Sequence, residues 1–595
     1  QIYGSIQANG QVYLSNPSGV YFAPGSSVDV GGLVATTHQM SVADFMAGKT
    51  TFSRGGASGA IVNDGNLKSA LGGYVALLAP EVRNNGVIVA QAGTVALAAG
   101  ESITLNFSTS SKLESLTVTA SQLGALVENK SVVLAPGGVV ILSARAANAL
   151  AGAVINSGTI NASGVSVQGG RVVLDGDDVN NSGAILAKSD IGQGGTVTIT
   201  AKTIASSGQA DASGAIGGSI TVTAQESTQI LGGMFVKAEA GQGGKIEIAA
   251  KQIGISAAID ASGTTGGTIV AQGQESVQVK GALLAQGTAG AGGKVAVKAS
   301  NMSKSSDSVA VVAGSVTIDK AALINVSGAG AGSKGGSADI AAQNVTIAGQ
   351  VLANGASGGG DIKVAGTTLD VTADSALRAD AADAGDGGRV TVIADLTDDS
   401  SKATFAGALS AKGGSQSGNG GFIETSGSKV SIADTVRVAT SAGAGKFGQW
   451  LIDPQDFTIA ATGGDISGTT LSGNLGSNAL VTIQSSSGAK AGAGDININD
   501  AITWNANKLS LVAARNVNIN AKLTATGSAT LDLHSATTNG VDPSVAGGDV
   551  LVGKNAPTVS SGETFKGSVD FGGRSGGGIL TVNSNAYTVV SNISQ

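Results

Sequence analysis

His38 and His534 are the only histidines in the chain and lie almost at opposite ends of it. Imidazole is the usual general base near neutral pH and the commonest metal ligand. A pair this far apart argues against a His-ligated metal, and both side chains are expected at the surface or in turns. No cysteine occurs among the 595 residues, which excludes a disulfide framework, a thiolate metal site and a cysteine nucleophile. Asp380, Asp383 and Asp386 recur every third residue ahead of Gly387-Gly388, and carboxylates among glycines can ligate Ca²⁺. Tandem Gly-Gly-x-Gly-x-Asp nonapeptides are absent, so a solvated loop is the expected role there, as it is for Asp175, Asp177 and Asp178. Serines are abundant, yet none sits in a Gly-x-Ser-x-Gly elbow with a histidine partner in view. Trp450 and Trp504 are the only tryptophans. Each is expected to plug the core where the repeat changes character, not to serve as a sugar platform. No catalytic residue, metal site or cofactor is expected, and the chain is read as non-enzymatic.

The elements that would position any such group are set by a repeat. Gly194-Gly195-Thr196-Val197-Thr198-Ile199 is followed by Gly217-Gly218-Ser219-Ile220-Thr221-Val222 and Gly243-Gly244-Lys245-Ile246-Glu247-Ile248. Gly266-Gly267 ahead of Thr268-Ile269-Val270 and Gly292-Gly293 ahead of Lys294-Val295-Ala296-Val297 continue the series, at offsets of 23, 26, 23 and 26 residues. Looser copies lie at Gly169, Gly335, Gly359, Gly387 and Gly420, with the spacing stretched where surface loops such as Asn301 to Asp307 intervene. A second motif precedes many of these pairs, as in Ile160-Asn161-Ala162-Ser163-Gly164, Ile259-Asp260-Ala261-Ser262-Gly263 and Ile324-Asn325-Val326-Ser327-Gly328. Alternation of Val or Ile with Thr, Ser, Lys or Glu predicts half-buried strands, two or three per repeat.

A lone repeat of this size cannot bury its apolar face. Stacking equivalent strands of successive repeats buries that face and pairs the backbone groups between coils. The pattern therefore predicts an all-β, parallel β-helix of about 23–26 residues per coil, with glycine at corners that need positive φ. An antiparallel sandwich would not require a fixed repeat of this length. At about 4.8 Å per coil, roughly 25 coils would make a rod on the order of 120 Å long. Composition agrees: 93 glycines, 7 prolines and 3% aromatic residues suit a narrow core of small branched side chains. Charged residues are 13% of the chain and the net charge is −7, so no basic surface exists to neutralise phosphates and nucleic acid is not an expected partner. No apolar run approaches the roughly 18 residues of a membrane span. Gln1 opens directly into strand-like sequence, which reads as a chain whose export signal was removed or as a fragment.

The first hundred residues carry a more specific signature. Ile6-Gln7-Ala8-Asn9-Gly10-Gln11-Val12-Tyr13-Leu14-Ser15-Asn16-Pro17-Ser18-Gly19-Val20-Tyr21-Phe22 and Val30-Gly31-Gly32-Leu33-Val34-Ala35-Thr36-Thr37 are followed by Asp44-Phe45-Met46-Ala47-Gly48 and Phe52. Gly73-Tyr74-Val75-Ala76-Leu77-Leu78-Ala79-Pro80 and Val82-Arg83-Asn84-Asn85-Gly86 come next. Together these resemble the secretion domain of filamentous-haemagglutinin-like exoproteins of bacterial two-partner (type Vb) secretion. The resemblance implies a right-handed β-helix, an outer-membrane pore partner that threads the unfolded chain outward, and a secreted or cell-surface product.

Asn16-Pro17-Ser18-Gly19 matches the second of the family's two Asn-Pro motifs, with Ser where Asn is usual. That implies Asn16, Pro17 and Gly19 in secretion-partner recognition; their plain structural reading is a tight turn. The first motif is expected upstream of Gln1. Gly420-Gly421-Phe422-Ile423-Glu424-Thr425-Ser426-Gly427 and Gln449-Trp450-Leu451-Ile452-Asp453-Pro454-Gln455-Asp456-Phe457-Thr458-Ile459 resemble sequences downstream of that domain, and Ala586-Tyr587-Thr588-Val589-Val590 resembles the start of a further repeat. The expected organisation is a partial secretion module over 1–110, Gly-Gly-punctuated repeats over 111–445, and a further β-helical module over 446–595.

The function expected is that of a surface exoprotein acting as an adhesive or structural rod, with fibres or biofilm matrix as its assemblies. A host cell, a bacterial surface or a polysaccharide is the class of ligand, and other copies of the chain could add at solenoid ends through unpaired strand edges. Two rivals differ in class. Of a polysaccharide-binding or polysaccharide-cleaving β-helix, the cleaving kind would need several carboxylates, often with Arg or Lys, on adjacent coils, and sugar-binding clefts commonly use aromatic platforms, where the repeat faces read Thr, Ser, Ala and Gln; fold alone is no evidence of activity. A stalk for a contact-dependent toxin would need a toxic domain, and the sequence from Trp450 to Gln595 keeps to strand and turn patterns.

Overall fold

The computed structural model describes the chain apart from residues 148–149, 165–167, 301–313, 486–491, 537–547, 554–566 and 591–595. The loop expected at Asn301 to Asp307 lies outside the described residues. The chain forms two compact units, Gln1–Ala285 and Gln286–Gln595, and each is a parallel β-helix.

In the first unit a coil consists of three short strands, as in Arg171–Gly176, Asp178–Asn181 and Ala184–Leu186. Their alternation puts Val172, Leu174, Val179 and Ile185 inward, all essentially buried. Arg171 pairs in parallel with Thr196, Thr196 with Ser219, Ser219 with Lys245 and Lys245 with Thr268. The last three steps reproduce the 23, 26 and 23 residue spacing of the glycine pairs. Like side chains consequently stack: Val172, Val197, Ile220, Ile246 and Ile269 make one buried column. Ile88, Val133, Ile160, Ile185, Ala210, Met234, Ile259 and Leu283 make another, on the third face. Each buried Val or Ile contributes about 1.5–3 kcal/mol relative to exposure, and none could do so in a single coil.

In this unit a three-stranded element departs from the all-parallel expectation. Thr51–Ser53, Ser102–Phe107 and Leu113–Val118 form an antiparallel sheet outside the coils. Its Phe52, Ile103, Leu105 and Leu113 pack on Val34, Tyr74, Ala76, Leu78, Ala96 and Ala98. The strands beneath, Tyr74–Leu78 and Thr94–Ala99, are buried on both faces, which is why their sequences are continuously apolar instead of alternating.

The second unit repeats the design. Its first-face strands, from Lys294–Ala299 through Ser337–Ala342, Asp361–Gly366, Arg389–Ala394, Phe422–Ser426, Gln449–Asp453, Leu480–Gln484 and Lys508–Val512 to Thr530–His534, pair in parallel. Trp450 is fully buried between Ile423 and Val481, its indole N–H donating to Thr425 Oγ1 at 2.9 Å. Trp504 points inward opposite the small Ala525. Both fill the core as expected of them. A short helix, Gly468–Leu475, interrupts the strand pattern after Trp450, and an antiparallel hairpin, Gly576–Val582 with Asn585–Val589, follows the last parallel strand.

The corners work differently from the expectation of positive φ. None of Gly194, Gly195, Gly217, Gly218, Gly243, Gly244, Gly266, Gly267, Gly292 or Gly293 adopts it. Close approach is the requirement instead. The N–H of the second glycine closes its own coil, Gly195 onto Ala187 O, Gly218 onto Ala212 O, Gly244 onto Val236 O and Gly267 onto Ala261 O, at 2.6–2.9 Å. A Cβ on the first glycine would strike the following coil, as at Gly217 against Val236 and Gly244. A Cβ on the second would strike the coil before, as at Gly218 against Gly195 and Gly194, and would lie 2.6 Å from Ala212 O as well.

The second motif has its own geometry. Asn161, Asp211, Asp260 and Asn325 each accept the N–H of the serine two residues on, at 2.8–3.0 Å. Ser163, Ser213 and Ser327 hydroxyls then accept an N–H from the next coil, that of Lys188, Lys237 or Asn354. The motif is therefore a staple between coils.

Inside the first unit runs a column of asparagines that the sequence reading missed. Asn63, Asn84, Asn129, Asn156 and Asn181 are fully buried, and each donates its side-chain amide to the next Oδ1 at 2.8 Å, Asn181 ending the series on Ser206 Oγ. The signal was Asn-x-Gly/Ser recurring at Asn63, Asn84, Asn129, Asn156 and Asn181, which also reads as turn chemistry.

Two stability outcomes follow from these contacts. Gly218→Ala is expected to cost at least about 1–3 kcal/mol because the colliding atoms are backbone, whereas Gly124→Ala, where a Cβ meets nothing within 4 Å, should leave the denaturation midpoint nearly unchanged. Asn129→Ala strands the amide of Asn84 and the Oδ1 of Asn156, a loss on the order of 2–5 kcal/mol measurable by equilibrium unfolding.

Candidate functional site

Asn16 ends the long strand Ser5–Ser15, and its own N–H donates to Thr36 O at 3.0 Å. The N–H of Ser18 donates to Asn16 Oδ1 at 3.1 Å and that of Gly19 to Asn16 O at 3.0 Å, so the side chain and the carbonyl of one residue close the same turn. Asn16, Pro17 and Ser18 are exposed. Gly19, with φ of +116°, returns the chain to the wall, where a side chain would meet Ala60 O at 2.9 Å. Gly59 passes directly against the turn, and a Cβ there would lie 2.6 Å from Pro17 O. The turn is thus a rigid protrusion held by the neighbouring coil.

The Asp44-to-Gly48 stretch forms part of a short exposed helix, Val42–Met46, capped by Ser41 Oγ on the Asp44 N–H at 3.0 Å. Phe45 meets the ring of Tyr13 edge-on, with centroids 5.1 Å apart, while Val42 and Met46 stay largely exposed.

The histidines are not at the surface. His38 is fully buried, its Nε2 donating to Gly100 O at 2.9 Å while Nδ1 has no partner. It turns inward because the antiparallel sheet, entered through Gly100, roofs that corner. Burial pushes the His38 imidazole below its usual pKa, offset in part by the bond to Gly100. His534 is also buried, with Nε2 3.0 Å from Asp532 Oδ1. The two lie in different units.

The carboxylates expected in solvated loops are mostly engaged. Asp175 pairs with Arg145 Nε at 3.0 Å, and Asp177 accepts the N–H of Ala146 and Gly152 at 2.9 and 2.8 Å and pairs with Lys202 at 3.1 Å. Asp380 accepts the Lys412 N–H and the Ser410 hydroxyl, and Asp386 the Asn419 N–H at 2.7 Å. Asp177, Asp380 and Asp386 thereby satisfy backbone donors of the adjacent coil. Asp178 and Asp383 are exposed. Among the described residues, no three His, Asp or Glu side chains converge as metal ligands would. Asp453 stands apart: its Oδ1 is buried without a partner, and burial with the nearby Glu424 pushes its carboxyl up to about 7.

Residues 1–187 match the TPS secretion domain family. A heme/hemopexin-binding protein of Haemophilus influenzae (strain ATCC 51907 / DSM 11121 / KW20 / Rd) is 35% identical over 187 residues, 30% of this chain and 20% of that protein. Another heme/hemopexin-binding protein of Haemophilus influenzae is 50% identical over 40 residues, 7% of this chain and 4% of that one. The chain therefore spans about a fifth or less of the curated relatives it matches. The crystal structure of the HMW1 secretion domain from Haemophilus influenzae aligns with 25% identity and a TM-score of 0.41, covering 44% of this chain and 75% of that one.

His38 and Asp453 give the units opposite pH responses near neutrality. His38 is held neutral when folded, so its contribution is present above its ordinary 6.5 and lost as pH falls below it. Asp453, raised to about 7 from 3.8, contributes fully below 3.8 and loses that contribution as pH rises through 7. Both tryptophans lie in the second unit, so their fluorescence melt should move to higher temperature between about pH 8 and about pH 5.5, and Asp453→Asn should flatten the change. Hydrogen exchange in the first unit should show the reverse trend, flattened by His38→Gln.

Proposed function

We propose, from the premise that this chain is a two-partner-secretion exoprotein with a TPS secretion domain at residues 1–187, exported to the extracellular space or cell surface, that it serves there as an adhesive and structural scaffold without catalytic activity. The TPS secretion domain implies an outer-membrane transporter as its export partner. Asn16, Pro17 and Gly19 are the residues through which that partner would read the folded or emerging turn.

The observation that carries the reading is how the polar side chains are spent. Carboxylates and serines at the corners bind backbone donors of adjacent coils, which builds stiffness and leaves outward ladders of small polar residues. Thr196, Thr198 and Thr200 stand beside Ser219, Thr221 and Thr223 in this way. A surface of regular hydroxyls on a stiff support suits multivalent contact, where many weak contacts sum. Because each coil contacts chiefly its neighbours, the chain can fold progressively as it emerges. Further copies would add through strand edges at coil ends, giving fibres or matrix.

The test is co-expression of the parent exoprotein with its outer-membrane transporter, measuring released or displayed chain and attachment of the cells to epithelial and abiotic surfaces. Attachment that follows display supports the reading. Depolymerisation of polysaccharide by the purified chain, or display without any gain in attachment, overturns it. Asn16→Ala should reduce export roughly tenfold, an effect of about 1.4 kcal/mol, while changing folded stability by no more than about 1 kcal/mol.

A further inference from the structure

The second unit carries an open groove of about 640 Å³ whose floor is glycine. Gly359-Gly360, Gly387-Gly388 and Gly420-Gly421 hold the same place in successive coils, the N–H of Gly360, Gly388 and Gly421 closing onto Ala353, Ala379 and Ala411 at 2.7 Å. The next coil puts Phe447-Gly448 there, with the Gly448 N–H closing onto Thr440 O at 2.7 Å. An aromatic residue therefore stands where the preceding coils have the first glycine of the pair. In those coils a side chain at this place is barred: a Cβ on Gly420 would fall 2.7 Å from Thr440 C and closer still to its oxygen. Phe447 is admitted because the coil after it has no glycine pair, and Ala479 and Leu480 instead donate to Gly448 O. Phe447 lines the groove and is only half-buried.

Around it, Phe422 is half-buried as well, with the Arg389 guanidinium stacked 4.4 Å from its ring centroid. Asp361, Asp386 and Gln449 complete the polar lining. An open groove with half-buried aromatic rings and flanking donors and acceptors matches a ligand that is apolar on one face and hydroxyl-rich at its rim. Two carboxylates against one guanidinium disfavour a polyanion. The groove runs across coils that advance about 4.8 Å each, so an extended, repeating ligand can use successive coils alike.

We propose that this groove binds a neutral polysaccharide chain, with a sugar ring stacked on Phe447. This names a ligand class for the adhesive surface and rests on that reading. The purified full chain is incubated with insoluble cellulose and chitin and with soluble laminarin and dextran, heparin and alginate serving as acidic comparators. Binding to at least one neutral polymer is expected, weakened about tenfold or more by Phe447→Gly, which restores the residue of the preceding coils. Phe422→Thr, a residue type found at this strand position elsewhere, provides a second variant, and thermal melts confirm that both fold. Absence of binding to every neutral polymer, retention on the acidic ones alone, or binding unchanged in both variants overturns the proposal. If polysaccharide binding fails while displaying cells still attach to surfaces, the groove assignment falls and the adhesive reading stands. If binding holds but display confers no attachment, the reverse is true.

Discussion

Coil spacing is the constraint on which the rest of the structure depends. Parallel strands must lie about 4.8 Å apart to share their backbone hydrogen bonds, and that distance leaves no room for a side chain wherever the corner backbone itself lies between two neighbours. The glycine pairs meet this condition at both sides, the first facing the following coil and the second the preceding one. Their conformation is ordinary; the requirement is one of volume. Once the corner is thin enough, the strands that leave it are brought into register, and the buried columns of Val and Ile follow without further specification.

A stack of identical apolar columns would be indifferent to which coil lies on which. Buried polar groups remove that indifference. The amides from Asn63 to Asn181 are satisfied only if each meets the next, and a slipped coil would strand a donor and an acceptor in the core. The corner serines and aspartates act similarly at the surface, since their acceptors are filled by N–H groups from the neighbouring coil. Asp177, Asp380 and Asp386, which look like candidates for chemistry, are consumed in holding the stack.

That economy bears on function. A chain without cysteine gains its order from contacts between neighbouring coils, which can form one after another along the sequence. What distinguishes one region from another is then where the repeat is broken: the antiparallel sheet that roofs His38, the exposed turn at Asn16, and Phe447 in place of a glycine.

The repeat in the sequence determined the parallel β-helix, the coil length where the Gly-Gly pairs recur every 23 or 26 residues, and the inward columns, because period-two alternation and a repeated spacing are local properties that stacking merely sums. It also identified the Asn16 turn and the inward tryptophans. Tertiary structure alone decided the rest. His38 and His534 look like surface residues until the sheet from Ser102 covers the first and the neighbouring strand Lys508–Val512 flanks the second. Asp177, Asp380 and Asp386 look like loop carboxylates until the coil next to each supplies the N–H groups they accept. Asn63 to Asn181 read as five turns, since their column exists only when coils separated by 21 to 45 residues are stacked. The glycine pairs announced corners in the sequence, but their reason, a neighbour on each side closer than a methyl group allows, belongs to the assembled coils.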